Sequence, residues 1–235
     1  MQLYTAANSN FGARVAIAVR AKGLALAEAP LPAGGLRSPA FLEINPLAKI
    51  PVLVLDGAMV LPESETILRY LEDRFPEPSL YPEGAAPRAA TDRAGRIMDL
   101  YVMTPVIRLF PHLDPARRNA AVVADEVERW RAGLGVLAHF LRDPLPQAPA
   151  GASLADCMLA PSLHLCTRIA ALLDLPGDPV ADHSVLTAYY RQMARHPIVG
   201  PVLDALTETQ AAKDVGHGLP SLASRHRHLA GMSLS

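Results

Sequence analysis

The stretch NPLAKIPVLVLDGAMVLPESETILRYL, residues 45–71, carries the clearest structural instruction in the chain. Its middle reads Val52–Leu55, Asp56-Gly57, Ala58–Leu61, short apolar runs on either side of Asp-Gly, which is the pattern of a two-residue β-hairpin. Ile67, Leu68, Leu71 and Phe75 then fall on one face of an amphipathic helix beginning near Ser64. Ile50-Pro51 opens the first hairpin strand, where the missing proline N–H is harmless. By base rate that bond reads as trans; a cis bond would turn the Ile50 N–H and C=O toward an extended ligand. At the hairpin-to-helix junction, Ser64 fits a helix N-cap with Glu65 in the first turn. The same junction also fits a binding site. The unpaired N–H groups and positive end of a helix attract a carboxylate, and the Ser64 hydroxyl adds a donor. Glu63 beside it would hold an ammonium, so the pair suits an α-amino acid terminus.

Upstream, Gln2–Thr5 reads as a strand, and Phe11, Val15, Ala18 and Val19 share a helical face that Gly23 stops. A second strand is expected near Leu26–Leu31, then a short helix capped by Ser38 with Pro39 at its first position. The order strand, helix, strand, helix, hairpin, helix over residues 1–76 predicts a small mixed sheet covered by helices. Residues 77–87 are proline-rich and read as a linker, and residues 88–208 read as an all-α bundle. In the bundle, the segment Arg88–Phe110 is interrupted by Pro105, and Val123, Val127, Trp130, Leu134, Leu137 and Leu141 form a seam at spacings of four and three. Ser153-Leu154-Ala155-Asp156 fits a capping box. Residues 209–235 lose periodicity and are expected to be a tail.

Composition narrows the function. The chain has 235 residues, with 22 Lys and Arg against 23 Asp and Glu and a net charge of -1, which excludes a generic nucleic-acid binder. Half of the residues are hydrophobic, so disorder does not describe it. Cys157 and Cys166 would face opposite sides of a helix and read as reduced core thiols. No apolar run is long enough to span a membrane, and the first residues lack the basic and apolar regions of a leader, so a cytoplasmic location is expected. His226 and His228 in the tail read as solvated, His139 and His164 as packed or surface histidines, and no metal site is expected. Gly34-Gly35 lacks the Lys-Ser/Thr partner of a phosphate loop. The loop Ala6–Gly12 lies at a helix N-terminus and carries small polar groups, where a thiolate would gain from a hydroxyl and from the helix dipole.

The segments Asn45–Leu53 and Leu61–Leu71 together resemble the glutathione S-transferase superfamily, whose members carry N-P-x-G-K-[VI]-P-x-L followed by E-S-x-x-I-x-x-Y-L. Leu3-Tyr4-Thr5, Arg14-Val15 and Lys22-Gly23-Leu24 look like the first strand and helix of that family, and Ser153–Asp156 like the capping box of its second domain. The resemblance covers about residues 1–205. It implies a thioredoxin-like N-terminal domain with a mixed four-stranded sheet, an all-α helical-bundle C-terminal domain, and a homodimer. It further implies a cis Pro51, with Ile50 pairing to the cysteinyl part of glutathione, Glu63 and Ser64 taking the γ-glutamyl end and Lys49 lying near the glycyl end. Counting back from Arg14, Ser9 stands where serine-type, bacterial-type members keep the thiolate-activating hydroxyl, with Asn10 and Tyr4 as alternatives. Asn10 and Gly12 depart from the Pro, Ser or Cys common nearby. Phe11, Tyr101 and His112 are the expected electrophile-pocket residues. There is no C-x-x-C after the first strand, so disulfide exchange lacks its dithiol. The implied activity is glutathione transfer to an electrophilic small molecule, as in detoxification, with glutathione as co-substrate. Glutathione-dependent isomerisation, dehalogenation and a non-catalytic binding protein are the alternatives.

Overall fold

The computed structural model describes residues 1–56 and 59–216. The N-terminal unit is built from β1 (Gln2–Tyr4), α1 (Asn10–Ala21), β2 (Ala27–Ala29), α2 (Pro39–Ile44), β3 (Val52–Val54), β4 (Val60–Pro62) and α3 (Ser64–Arg74). Its sheet runs β2-β1-β3-β4, with β1 parallel to β2 and antiparallel to β3, and β3 antiparallel to β4. This is the mixed four-stranded sheet of a thioredoxin-like domain. Leu3, Leu53 and Leu61 stand in register across it. The hairpin closes by the Leu55 N–H donating to Met59 O, while the turn residue Gly57 lies outside the described residues.

Local chemistry explains where the helices begin and end. Ser38 caps α2, its Oγ accepting from Phe41 N at 3.2 Å, with Pro39 in the first turn. Helix α1 ends at Gly23, whose φ of 62° suits a residue without a Cβ. There Leu24 N bonds Val19 O and Gly23 N bonds Arg20 O, so the last carbonyls are satisfied.

The C-terminal unit comprises α4 (Ala85–Ile97), a π turn (Met98–Met103), α5 (Thr104–Arg108), α6 (Ala120–Phe140), α7 (Leu154–Leu172), α8 (Ser184–Ala194) and α9 (Gly200–Gly216). Trp130, Leu134, Leu137 and Leu141 of the expected seam are buried. The capping box of α7 is complete: Ser153 Oγ accepts from Asp156 N at 3.1 Å, and Asp156 Oδ2 accepts from Ser153 N at 2.8 Å. The interruption expected at Pro105 is present. The segment from Arg88 to Phe110 breaks before Pro105, because proline removes an N–H and crowds the carbonyl four residues back, here that of Tyr101. The widened turn Met98–Met103 takes up that conflict, and Thr104 Oγ1 reaches back to Asp99 O at 3.1 Å. Two boundaries differ from the sequence reading: α4 begins at Ala85, inside the stretch 77–87 read as a linker, and α9 continues past residue 208, to Gly216. His226 and His228 lie outside the described residues.

The two units share a core. Ile17, Ala18 and Ala21 of α1 join Leu68 and the helical bundle, while Val15 packs with Leu3, Leu53, Ile67 and Leu71 under the sheet. The proline-rich connection is itself packed. Leu80 is fully buried, and its carbonyl accepts from Leu154 N at 2.9 Å. No helix among the described residues is long and apolar enough to cross a membrane.

Candidate active site

A cavity of about 710 Å³ lies between the units, walled by α1, the 45–51 loop, the head of α3, the π turn and α5. Its polar end is set by two local structures. In the first, Asn45 is buried and braces the loop, donating to Lys49 O at 2.8 Å while accepting from Leu47 N at 3.1 Å. Ala48 takes a φ of 53°, and Ile50-Pro51 is cis, as the resemblance implied. Lys49, Ile50 and Pro51 all line the cavity. In the second, β4 stops at Pro62 and the chain turns sharply through Glu63, which has φ 69° and ψ 121°.

Ser64 is therefore the first residue of α3 and not its cap, correcting the capping alternative. Glu63 holds the cap position, and no side chain caps the helix. Ser64 Oγ is 3.4 Å from Arg14 Nη1, and Glu63 and Ser64 both face the cavity. The first N–H groups of α3, lacking intrahelical acceptors, add a positive edge at this end.

Beneath them lies a group that sequence reasoning used only as a counting mark. Arg14 is 1% exposed, donates to Asp99 Oδ1 at 2.8 Å and to Ser162 Oγ at 2.7 Å, and stacks on the Phe11 ring at 4.7 Å. An arginine placed between the apolar residues of a buried helix face was the available signal. Arg14 and Asp99 both line the cavity. The apolar part of the wall comes from Phe11, Leu36, Met103, Ile107 and Phe110.

The other named residues lie outside the cavity wall. Ser9 caps α1, with Oγ accepting from Gly12 N at 3.0 Å, two positions before Phe11. Gly12 is required there, since a Cβ would stand 2.2 Å from Thr5 Oγ1. Asn10 is buried, giving its Nδ2 to Pro161 O at 2.9 Å and accepting from Gln210 Nε2 at 2.8 Å, so its polar atoms are committed to the interior. Tyr4 meets Phe41 edge to face with centroids 6.1 Å apart. Tyr101 is 57% exposed and lines a separate surface groove against α6, because residues two apart on a helix do not share a face and Asp99 and Met103 take the cavity side. His112 is used locally, its Nδ1 accepting from Asn119 N at 3.3 Å. Both were expected in the electrophile pocket, and neither lines this cavity, to whose wall α5 contributes Ile107. Burial pushes the Cys157 and Cys166 thiols up, away from thiolate chemistry.

A thioredoxin-like domain joined to a helical bundle, with a ligand-sized cleft between them, defines the class of protein. Residues 3–79 match the family model for the glutathione S-transferase N-terminal domain. The chain is 40% identical over 180 residues to glutathione S-transferase 1 of Dianthus caryophyllus, covering 69% of this chain and 76% of that one. It is 28% identical to maleylacetoacetate isomerase of Pseudomonas aeruginosa, covering 74% and 85%. A solved glutathione S-transferase from Methylobacterium radiotolerans, in complex with glutathione sulfonate, shares the fold with a TM-score of 0.68 at 24% identity, over 86% of this chain and 93% of that one. The chain belongs to the glutathione S-transferase family.

Proposed function

We propose that the protein is a glutathione transferase that ionises the glutathione thiol for attack on an uncharged electrophile. The observation that carries this is that one cavity is walled both by the charged and polar residues Lys49, Glu63 and Ser64 and by the apolar Phe11, Met103, Ile107 and Phe110, which we take as its charged and apolar ends. Glutathione lies along the charged end. Its γ-glutamyl carboxylate meets Ser64 and the head of α3, its ammonium meets Glu63, the cysteinyl backbone pairs with Ile50, and the glycyl carboxylate lies near Lys49. In this reading the sulfur points toward the N-terminus of α1, where Phe11 lines the cavity, and it reaches past that residue to Ser9, two positions earlier and outside the cavity wall. The Ser9 hydroxyl already accepts from Gly12 N, so its own proton is available to the thiolate. A thiol with pKa near 8.5 is mostly protonated at pH 7, and lowering it by about two units takes about 2.7 kcal/mol of preferential stabilisation of the anion. That is within reach of one charge-assisted hydrogen bond plus a helix N-terminus. The thiolate attacks a carbon held among Phe11, Met103, Ile107 and Phe110. A C–S bond forms, the carbon–leaving-group bond breaks, the leaving group keeps the electron pair, and the thiol proton passes to solvent.

Isomerisation of an unsaturated acid by reversible thiolate addition is the second reading, supported by the maleylacetoacetate isomerase relative. The cations on the cavity wall favour it less. Arg14 is paired to Asp99 and Arg96 to Glu65, leaving Lys49 for glutathione. Purified protein given glutathione with an activated aryl chloride, and separately with a cis-unsaturated dicarboxylic acid, separates the two. Chloride release and thioether formation are the expected result. Turnover of the diacid alone would favour the isomerase, and no turnover of either would favour a binding protein. We also propose a cytoplasmic homodimer. The exposed Leu100, Tyr101 and Val136 on the outer face of the π turn and α6 support the dimer, and light scattering tests it.

A further inference from the structure

We propose that the C-terminal helix α9 belongs to the thiol-activating apparatus, with Gln210 as a positioning residue that clamps the loop carrying Ser9. The proposal rests on the reading of Ser9 as the thiolate's donor. It starts from a buried polar chain that the catalytic cleft does not use, in which His164, Gln210 and Asn10 are 1%, 4% and 8% exposed.

The hydrogen-bond directions in this chain are forced. Pro161 O only accepts, so the Asn10 amide 2.9 Å away must present Nδ2 to it, leaving Asn10 Oδ1 as an acceptor. Asn8 O likewise only accepts. The end of Gln210 that lies 2.8 Å from Asn10 Oδ1 and 3.1 Å from Asn8 O is therefore its NH₂ group. Its Oε1 then accepts from His164 Nε2 at 3.1 Å, which places a proton on that nitrogen, while Nδ1 lies 3.0 Å from the Tyr190 hydroxyl. One amide thus spends both of its N–H donors on the residues before and after Ser9, and its carbonyl on α7.

Ser9 depends on this clamp. Ser9's own bonds are all local, its N donating to Ala6 O at 2.8 Å and its O and Oγ accepting from Ala13 N at 2.9 Å and Gly12 N at 3.0 Å, whereas Gln210 ties both of its neighbours to α9. Thr209 Oγ1 lies 3.0 Å from Ala7 O, but the Ala205 and Leu206 carbonyls are in reach of the same proton, so the weight falls on Gln210. The attachment of α9 does not need Gln210, because Leu203 and Leu206 are buried beside it. The polar cluster adds position rather than area. A donor aimed at a thiolate loses most of its effect when displaced by about an ångström.

The test is a pH titration of the thiol of bound glutathione, followed by thiolate ultraviolet absorbance, together with kcat/KM, glutathione Kd and melting temperature. Four proteins are compared: the parent chain and its Gln210→Met, Gln210→Ala and Ser9→Ala variants. Methionine keeps the volume without donors. Alanine removes both donors without adding bulk and favours the helix, and so serves should the methionine variant fail to fold. The expected result is a bound-thiol pKa about one unit higher in the Gln210 variants, about tenfold lower kcat/KM near neutral pH, and glutathione Kd within about twofold of the parent. An unchanged thiol pKa in a folded Gln210 variant, with Ser9→Ala impaired, overturns the clamp and leaves the Ser9 reading standing. Loss of glutathione affinity with the thiol pKa unmoved shows a merely structural role and overturns it as well. An unchanged thiol pKa in Ser9→Ala overturns the reading of Ser9, and the clamp with it.

Discussion

Arg14 joins polar and apolar residues of the cavity wall, touching Ser64, Asp99 and Phe11. Its guanidinium is buried between Asp99, Ser162, Ser64 and the Phe11 ring, so replacing it leaves a carboxylate without its cation. Arg14→Met is expected to cost about 2–3 kcal/mol, below the range for a fully buried pair because Asp99 keeps 25% of its side chain in solvent. Urea denaturation measures it, and glutathione Kd in the same variant should weaken as Ser64 loses its neighbour. Legibility at this scale followed chain locality. Glu63, Ser64, Lys49, Ile50 and Pro51 sit in short segments whose chemistry is visible in a few residues, and the fold brings them to one cavity. Asp99 and Ser162 reach Arg14 from far along the chain, and no local pattern announces such a meeting. Tyr101 was misplaced for a related reason: its helix was legible, but the face it presents depends on the phase of a π turn.

At the scale of elements, the π turn and α6 are fitted to each other. A Cβ on Gly133 would lie 2.1 Å from Tyr101 O, the same carbonyl that Pro105 crowds from the other side. Gly133→Ala must therefore push α6 off the turn that carries Asp99 and Met103. It is expected to destabilise the fold by about 1–3 kcal/mol, against the small gain that alanine brings to a helix interior. Thermal unfolding measures the loss, and turnover should fall with it because both turn residues line the cavity. The glycine and the proline were each visible in the sequence, but their shared carbonyl was not. By contrast, the Ser153–Asp156 capping box was legible outright, since its whole geometry is contained in one helical turn. Ser153→Ala should cost about 1–2 kcal/mol in the same measurement.

Across the whole molecule, Lys22 ties the sheet unit to the connection that follows it: its buried ammonium meets Glu72 Oε2 at 2.7 Å and donates to Phe75 O and Pro78 O. Burial pushes the Glu72 carboxyl up, but hydrogen bonds from Lys22, Ser79 and Leu80 outweigh it and hold the group below its ordinary value of 4.5. A carboxyl depressed in the folded state contributes stability above its unfolded value and loses it as pH falls through the folded one. Stability should therefore drop on acidification below about pH 4.5, and Glu72→Gln should flatten that limb in denaturant midpoints measured across pH. The division into a sheet unit and a helical unit was legible from periodicity, but the proline-rich connection showed no apolar pattern to foretell that Leu80 would be buried in the shared core. The account as a whole turns on glutathione occupying the charged end of the cavity between those units. Calorimetric titration with glutathione of the parent and of the double variant Glu63→Ala, Ser64→Ala tests this most directly. Micromolar to low-millimolar binding that the double variant abolishes is the predicted result. Absence of binding to the folded parent, or binding that the double variant leaves intact, would contradict it.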